Sequence, residues 1–160
     1  MRLALLVLAL FPLAASAQAT FNTNNLTPES ALKAAQAALS QCRKDGFQVT
    51  VAVVDRAGLT QALVRDRFAG PHTLDVAQNK AWSAVSFKTS TANLERVTRP
   101  GTTMSGLRQV PRAVTVGGGL TIEAGGALLG GIGVSGAPGG EADEACARAG
   151  IKAIADDLEF

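Results

Sequence analysis

The sequence predicts an α+β domain in which helices cover an antiparallel sheet. Two observations carry this. Short valine- and isoleucine-bearing runs are joined by tight glycine turns, the mark of antiparallel hairpins. Segments of helical period stand at both ends of the chain and between the hairpins, outside the strand runs.

The 160 residues open with a different kind of segment. Met1-Arg2 is a positive start, Leu3 to Leu13 is an apolar run, and Ala15-Ser16-Ala17 is a small-x-small cleavage site. Residues 1–17 are therefore expected to be a signal peptide, with a mature chain beginning at Gln18 in a periplasmic or secreted setting. The run is shorter than the roughly 20 residues a membrane span needs. No later stretch qualifies either, so no membrane span is expected after cleavage. Residues 18–26 are polar and Asn-rich and read as a flexible leader. Residues 27–160 are then one domain's length, enough for its own core.

Within the domain, Thr27-Pro28-Glu29 reads as N-cap, first-turn proline and first-turn acid. Ala31, Leu32, Ala35, Ala38, Leu39 and Cys42 follow at helical spacing until Gly46. Gln48 to Val54 and Leu59 to Val64 are strands joined by the turn Asp55-Arg56-Ala57-Gly58. A second helix is expected from Thr73 to Phe87. Its stripe of Ala77, Lys80, Ala81, Ala84 and Val85 is small enough for a sheet or a neighbouring subunit to approach closely. A short helix from Thr91 to Val97 follows, then an irregular loop over 98–111 with Pro100, Gly101, Gly106 and Pro111. Long loops of this kind are often functional. Ala113 to Val116 and Leu120 to Ala124 read as strands split by Gly117-Gly118-Gly119. Gly125-Gly126 turns the chain into a last strand, Ala127 to Val134. The final helix is expected from Glu141 to Leu158, with Glu141, Asp143 and Glu144 suiting its dipole. The count is five strands.

Charge and cysteine content narrow the function. A net charge of +2 argues against nucleic acid as a partner. Cys42 and Cys146 fall on helices near the two ends of the chain. An oxidising compartment permits a bridge between them, worth about 4–5 kcal/mol in the chain-entropy model. Two small buried apolar residues are the other reading.

Several motif matches fail on context. Gly131-x-Gly133-x-x-Gly136 has the dinucleotide spacing, but no βαβ unit follows it. Gly133-Val134-Ser135-Gly136-Ala137 has alanine where a nucleophile elbow needs its second glycine. One histidine and two distant cysteines make no tetrahedral zinc set. Three features remain. His72 lies in a Gly-Pro-His loop, either as an inert surface residue or as a metal or haem ligand or acid–base group. Lys88, Arg96, Arg99, Arg108 and Arg112 face one acid, Glu95, across residues 88–112. They form a solvated face or an anion-binding rim, since guanidinium groups grip carboxylates in fixed geometry. Lys80 among alanines is either desolvated, which would lower its pKa, or snorkels to solvent.

Four segments bear a family likeness, in order along the chain. They are Val51-Ala52-Val53-Val54-Asp55 with Gly58; Ala77 to Ala84 around Asn79-Lys80-Ala81; Gly117-Gly118-Gly119; and Gly130-Gly131-Ile132-Gly133-Val134-Ser135-Gly136. Together they resemble the GlcG/HbpS haem-binding family over about residues 26–158. The resemblance implies a profilin-like α+β fold, a five-stranded antiparallel sheet flanked by helices, and homo-oligomers. Some members bind haem, some secreted ones resemble accessory sensors of haem and oxidative stress, and a related domain is fused to corrinoid enzymes.

On that basis an exported haem-binding protein is expected, acting in haem sensing, storage or protection from oxidative stress. Haem would lie in a groove near the 98–112 loop. His72 would be its axial ligand, with Met104 and Lys80 the other candidates, and Arg99, Arg108 or Arg112 would pair its propionates. Two other readings stand beside it. One is an enzyme on a small organic acid, with Lys80 and Asp55 as acid–base pair and the arginines holding the carboxylate. The other is a non-enzymatic scaffold that recognises a sensor protein.

Overall fold

The computed structural model describes residues 19–158, so the expected signal peptide, residues 1–17, lies outside the described residues. Of the expected leader, its last residue belongs to the domain. Leu26 is buried, and its N–H donates to the Leu129 carbonyl at 3.4 Å.

Helix α1 (Pro28–Lys44) starts as the sequence demands, with the Thr27 hydroxyl accepting from the Ser30 N–H at 3.2 Å. Strands β1 (Thr50–Asp55) and β2 (Thr60–Arg65) form the first hairpin. Helix α2 (Thr73–Phe87) and helix α3 (Thr91–Val97) follow. The loop after α3 contains a 3-10 turn at Ser105–Gln109. Strands β3 (Gly119–Ala124) and β4 (Ala127–Ser135) form the second hairpin, and helix α4 (Gly140–Ala153) closes the fold. The last helix is shorter than expected. It ends at Ala153, and a 3-10 turn, Ala155–Leu158, continues the chain.

The sheet is antiparallel throughout, in the order β2-β1-β4-β3. It has four strands, not five. Ala113 to Val116 is no strand because a backbone donor in it is taken by a helix side chain and its direction is set by two turns. The Val114 N–H donates to the Ser83 hydroxyl at 2.9 Å, and Arg112 and Gly118 both have positive φ, 71° and 113°. The segment therefore crosses α2 before the chain enters the sheet at Gly119.

The two faces of the sheet are built differently. On one, Val51, Val53, Ile132 and Val134 meet α1 and α4 in the main core. The Cys42–Cys146 disulfide crosses that core between the two helices, with Cα atoms 5.5 Å apart and the two cysteines 104 positions apart in sequence. On the other face, α2 sits backbone-close on β4. A Cβ on Gly133 would stand 2.1 Å from the Ala77 carbonyl oxygen, and one on Gly131 would stand 2.9 Å from that of Ala81. The small-residue stripe of α2 is thus spent on the sheet within this chain.

Candidate functional site

The start of α2 is anchored by Thr73. Its hydroxyl shares a 2.7 Å hydrogen bond with that of buried Thr50 and lies 2.6 Å from the Gly70 carbonyl. His72, just before the helix, is exposed. Its ring lies against Gly70, where a Cβ would come within 2.7 Å of the imidazole. A helical repeat places His72, Val76, Asn79 and Ser83 along one side of α2. Seven residues of rise separate His72 from Asn79 by roughly 10 Å.

Arg112 approaches that same side from the crossing segment. Its Nε donates to the Asn79 side-chain oxygen at 3.3 Å, and its guanidinium lies 4.9 Å from the centroid of Trp82. Cation–π contact and hydrogen bond together hold it at the Asn79 end of the stripe. Trp82 is itself braced by Phe87, edge-on at 6.3 Å.

A second feature is a cleft of about 750 Å³ between α3 and α4. Arg96 and Arg99 come from the α3 side, Arg148 and Glu141 from α4. Gly117, Gly139 and Gly140 form part of its lining, where Gly117 and Gly140 pack backbone to backbone.

The fold therefore divides the residues expected in one groove. Arg99 faces the cleft. Arg108 is engaged as the C-terminal cap of α3, its Nε donating to the Thr98 carbonyl at 2.7 Å and its second nitrogen to that of Glu95 at 3.2 Å. Arg112 joins the His72 side of α2. Met104 is exposed just before the 3-10 turn. Lys80 is neither a snorkelling lysine nor an accessible ligand. It is buried, and its Nζ donates to Asp143 at 2.7 Å and to the Val134 carbonyl at 2.9 Å.

The acid–base pair expected of Lys80 and Asp55 is not formed. Asp55 closes its own turn, accepting from the N–H groups of Ala57 and Leu59, both at 2.9 Å, and from Gln61 at 3.1 Å. The partner of Lys80 is Asp143, whose other oxygen accepts from the Ala137 N–H at 3.0 Å. Burial pushes the Asp143 carboxyl above the usual carboxylate range, against the pull of the ammonium and the amide. The sequence signal for Asp143 was ambiguous, because an acid in a first helical turn also serves the dipole. Asn79 and Trp82 were missed because nothing in α2 alone shows that Arg112 returns to them.

A family model described as "Haem degrading protein HbpS-like" matches residues 26–152. The chain belongs to that HbpS-like family. Among curated proteins, the corrinoid adenosyltransferase PduO of Salmonella typhimurium is 35% identical over 103 residues, 63% of this chain. Those residues are 31% of PduO, so the chain spans about a third of that relative's length. Among solved structures, a double mutant of Streptomyces reticuli HbpS is 41% identical, with a TM-score of 0.79 over 90% of this chain and 97% of the other. A complex of PduOC with haem is 32% identical, with a TM-score of 0.76 over 81% and 95% of the two chains. Membership of the HbpS-like family makes a haem-related ligand the relevant one to test against the geometry.

Proposed function

We propose that this chain is an exported haem-binding protein and that haem docks along the outer side of α2. The observation that carries the reading is the alignment of His72 and Arg112. His72 and Asn79, whose side chain holds the Arg112 guanidinium, stand about two helical turns apart on one side of α2, a rise of roughly 10 Å, with half-buried Val76 on the stripe between them. That arrangement suits a flat macrocycle with a metal at its centre and carboxylates at its edge. His72 would ligate the iron through a neutral ring nitrogen. Arg112 would pair a propionate, its guanidinium already oriented by Asn79 and Trp82. Bound haem would supply a redox-active iron. The haem complex of the relative PduOC supports the choice of ligand.

Export is part of the same reading. A buried disulfide joining α1 to α4 suits an oxidising compartment, as does the sequence of residues 1–17. The reading includes a role in haem sensing, storage or protection from oxidative stress, which an exposed His72 that captures haem without enclosing it would suit. Homo-oligomers and a sensor partner fit that role.

Haem titration of the mature protein tests the site. A Soret shift is expected, reduced at least tenfold in apparent affinity by His72→Ala and less by Arg112→Ala. Arg108→Ala should not act on haem affinity. An unchanged titration in His72→Ala would overturn the proposed ligand. Mass spectrometry of the protein from its native host checks export, with Gln18 expected as the first residue.

A further inference from the structure

The α3–α4 cleft is left over by the haem reading, and its charges are unusual in their balance. Three arginines line it, Arg96, Arg99 and Arg148, and three glutamates, Glu95, Glu141 and Glu144. Arg148 and Glu144 satisfy each other as an i,i+4 pair on α4. Arg96 is partly engaged, donating to the Asn93 side chain at 2.6 Å. Among the described residues, the side chains of Arg99, Glu95 and Glu141 form no ion pair or hydrogen bond. The unpaired guanidinium belongs to the α3 wall, and an unpaired carboxylate, Glu141, to the α4 wall. Between them the lining is small, with Ala92, Ala145 and glycines leaving the space open.

These features select a class of ligand. A purely anionic ligand would meet the two free carboxylates, and a purely cationic one would meet Arg99. A molecule with one charge of each sign at its ends satisfies both walls. A volume of about 750 Å³ lies within the range of clefts that hold small-molecule ligands, with room for a short peptide. We infer that the cleft is a binding site for a short zwitterionic peptide, its carboxylate on Arg99 and its ammonium on Glu141. Opposite charges on the two walls also give the site its specificity, because a ligand lacking either end leaves one wall unpaired.

The site is independent of the proposed haem site, so each can fail alone. The test is calorimetric titration of the mature protein with L-alanyl-L-alanine, with succinate and with 1,4-diaminobutane. The dipeptide is expected to bind at least tenfold more tightly than either single-sign compound. Arg99→Ala and Glu141→Gln should each weaken the dipeptide at least tenfold, and Arg112→Ala should leave it unchanged. Arg99→Ala should in turn leave the haem titration unchanged. Both substituted side chains are exposed, and circular dichroism of each variant verifies folding. The inference is overturned by no dipeptide binding at millimolar concentration, by succinate binding as tightly, or by full binding in the folded Arg99→Ala protein.

Discussion

The two faces of the sheet hold their helices by opposite means. Against α1 and α4 the contact is side chain to side chain, an interdigitated apolar core crossed by one covalent bond. Against α2 it is backbone to backbone, with glycines in the strand and alanines in the helix. The first arrangement tolerates exchange of shape so long as volume is kept. The second tolerates no added atom, because the neighbour is a main-chain oxygen that has nowhere to go. Close approach also lets α2 carry a buried charge. The Lys80 stem passes beside Gly118 and Gly133, and its ammonium reaches Asp143 on α4, so one ion pair links the two layers.

This contrast can be broken most severely at the disulfide. Replacing both Cys42 and Cys146 with serine should cost about 4–5 kcal/mol on the chain-entropy model, since the closed loop is long. Urea unfolding of the double variant against wild type measures it, and a loss below 1 kcal/mol would mean that the α1–α4 core does not depend on its crosslink.

The α2 layer should respond next. Lys80→Met leaves the Asp143 carboxyl buried beside an apolar chain, and removing one partner of a buried pair costs about 3–5 kcal/mol. Adding Asp143→Leu should recover much of that loss, which distinguishes an uncompensated charge from simple misfit. Gly133→Ala should cost about 1–3 kcal/mol or more by overpacking α2, whereas Val134→Ala on the opposite face, a cavity change, should cost less than a Leu→Ala truncation. If Gly133→Ala were as stable as wild type, the backbone-close seat of α2 would be refuted.

The smallest effect concerns Asp66, which is buried in the loop after β2 and accepts from Arg43 at 2.8 and 3.0 Å. The hydrogen bonds from Arg43 hold its carboxyl below the usual range. Its folded pKa is thus lower than its unfolded value of about 3.9. The corresponding stability is present above that pH and is lost as pH falls from there through the folded value. The Asp66→Asn variant should show a shallower drop in melting temperature between pH 5 and pH 3 than wild type. Parallel curves would assign the acid sensitivity elsewhere.

Much of the fold was legible in order along the chain. Thr27 and Pro28 announced α1, and the turn glycines announced both hairpins, because capping and turn chemistry are local. The fifth strand was a false reading of Ala113 to Val116. Its β-branched residues suit a strand, but the hydroxyl of Ser83, thirty-one positions away, takes the Val114 N–H. The candidate site was legible only as a set of residue types. His72 and the arginines stood out by scarcity and by charge, and nothing local separated Arg108, which caps a helix, from Arg99, which faces a cleft.

By itself, then, the sequence determined the hairpins and the helix starts, since each rests on contacts between residues near one another in the chain, and the family likeness, which rests on residue types in order. Tertiary structure alone decided the disulfide, the Lys80–Asp143 pair and the meeting of Arg112 with Asn79. Those join residues 33 to 104 positions apart. Their pairing depends on which face of the sheet each helix covers, and that is settled by packing the whole chain, where a valine face accepts two helices and a glycine face admits the backbone of one.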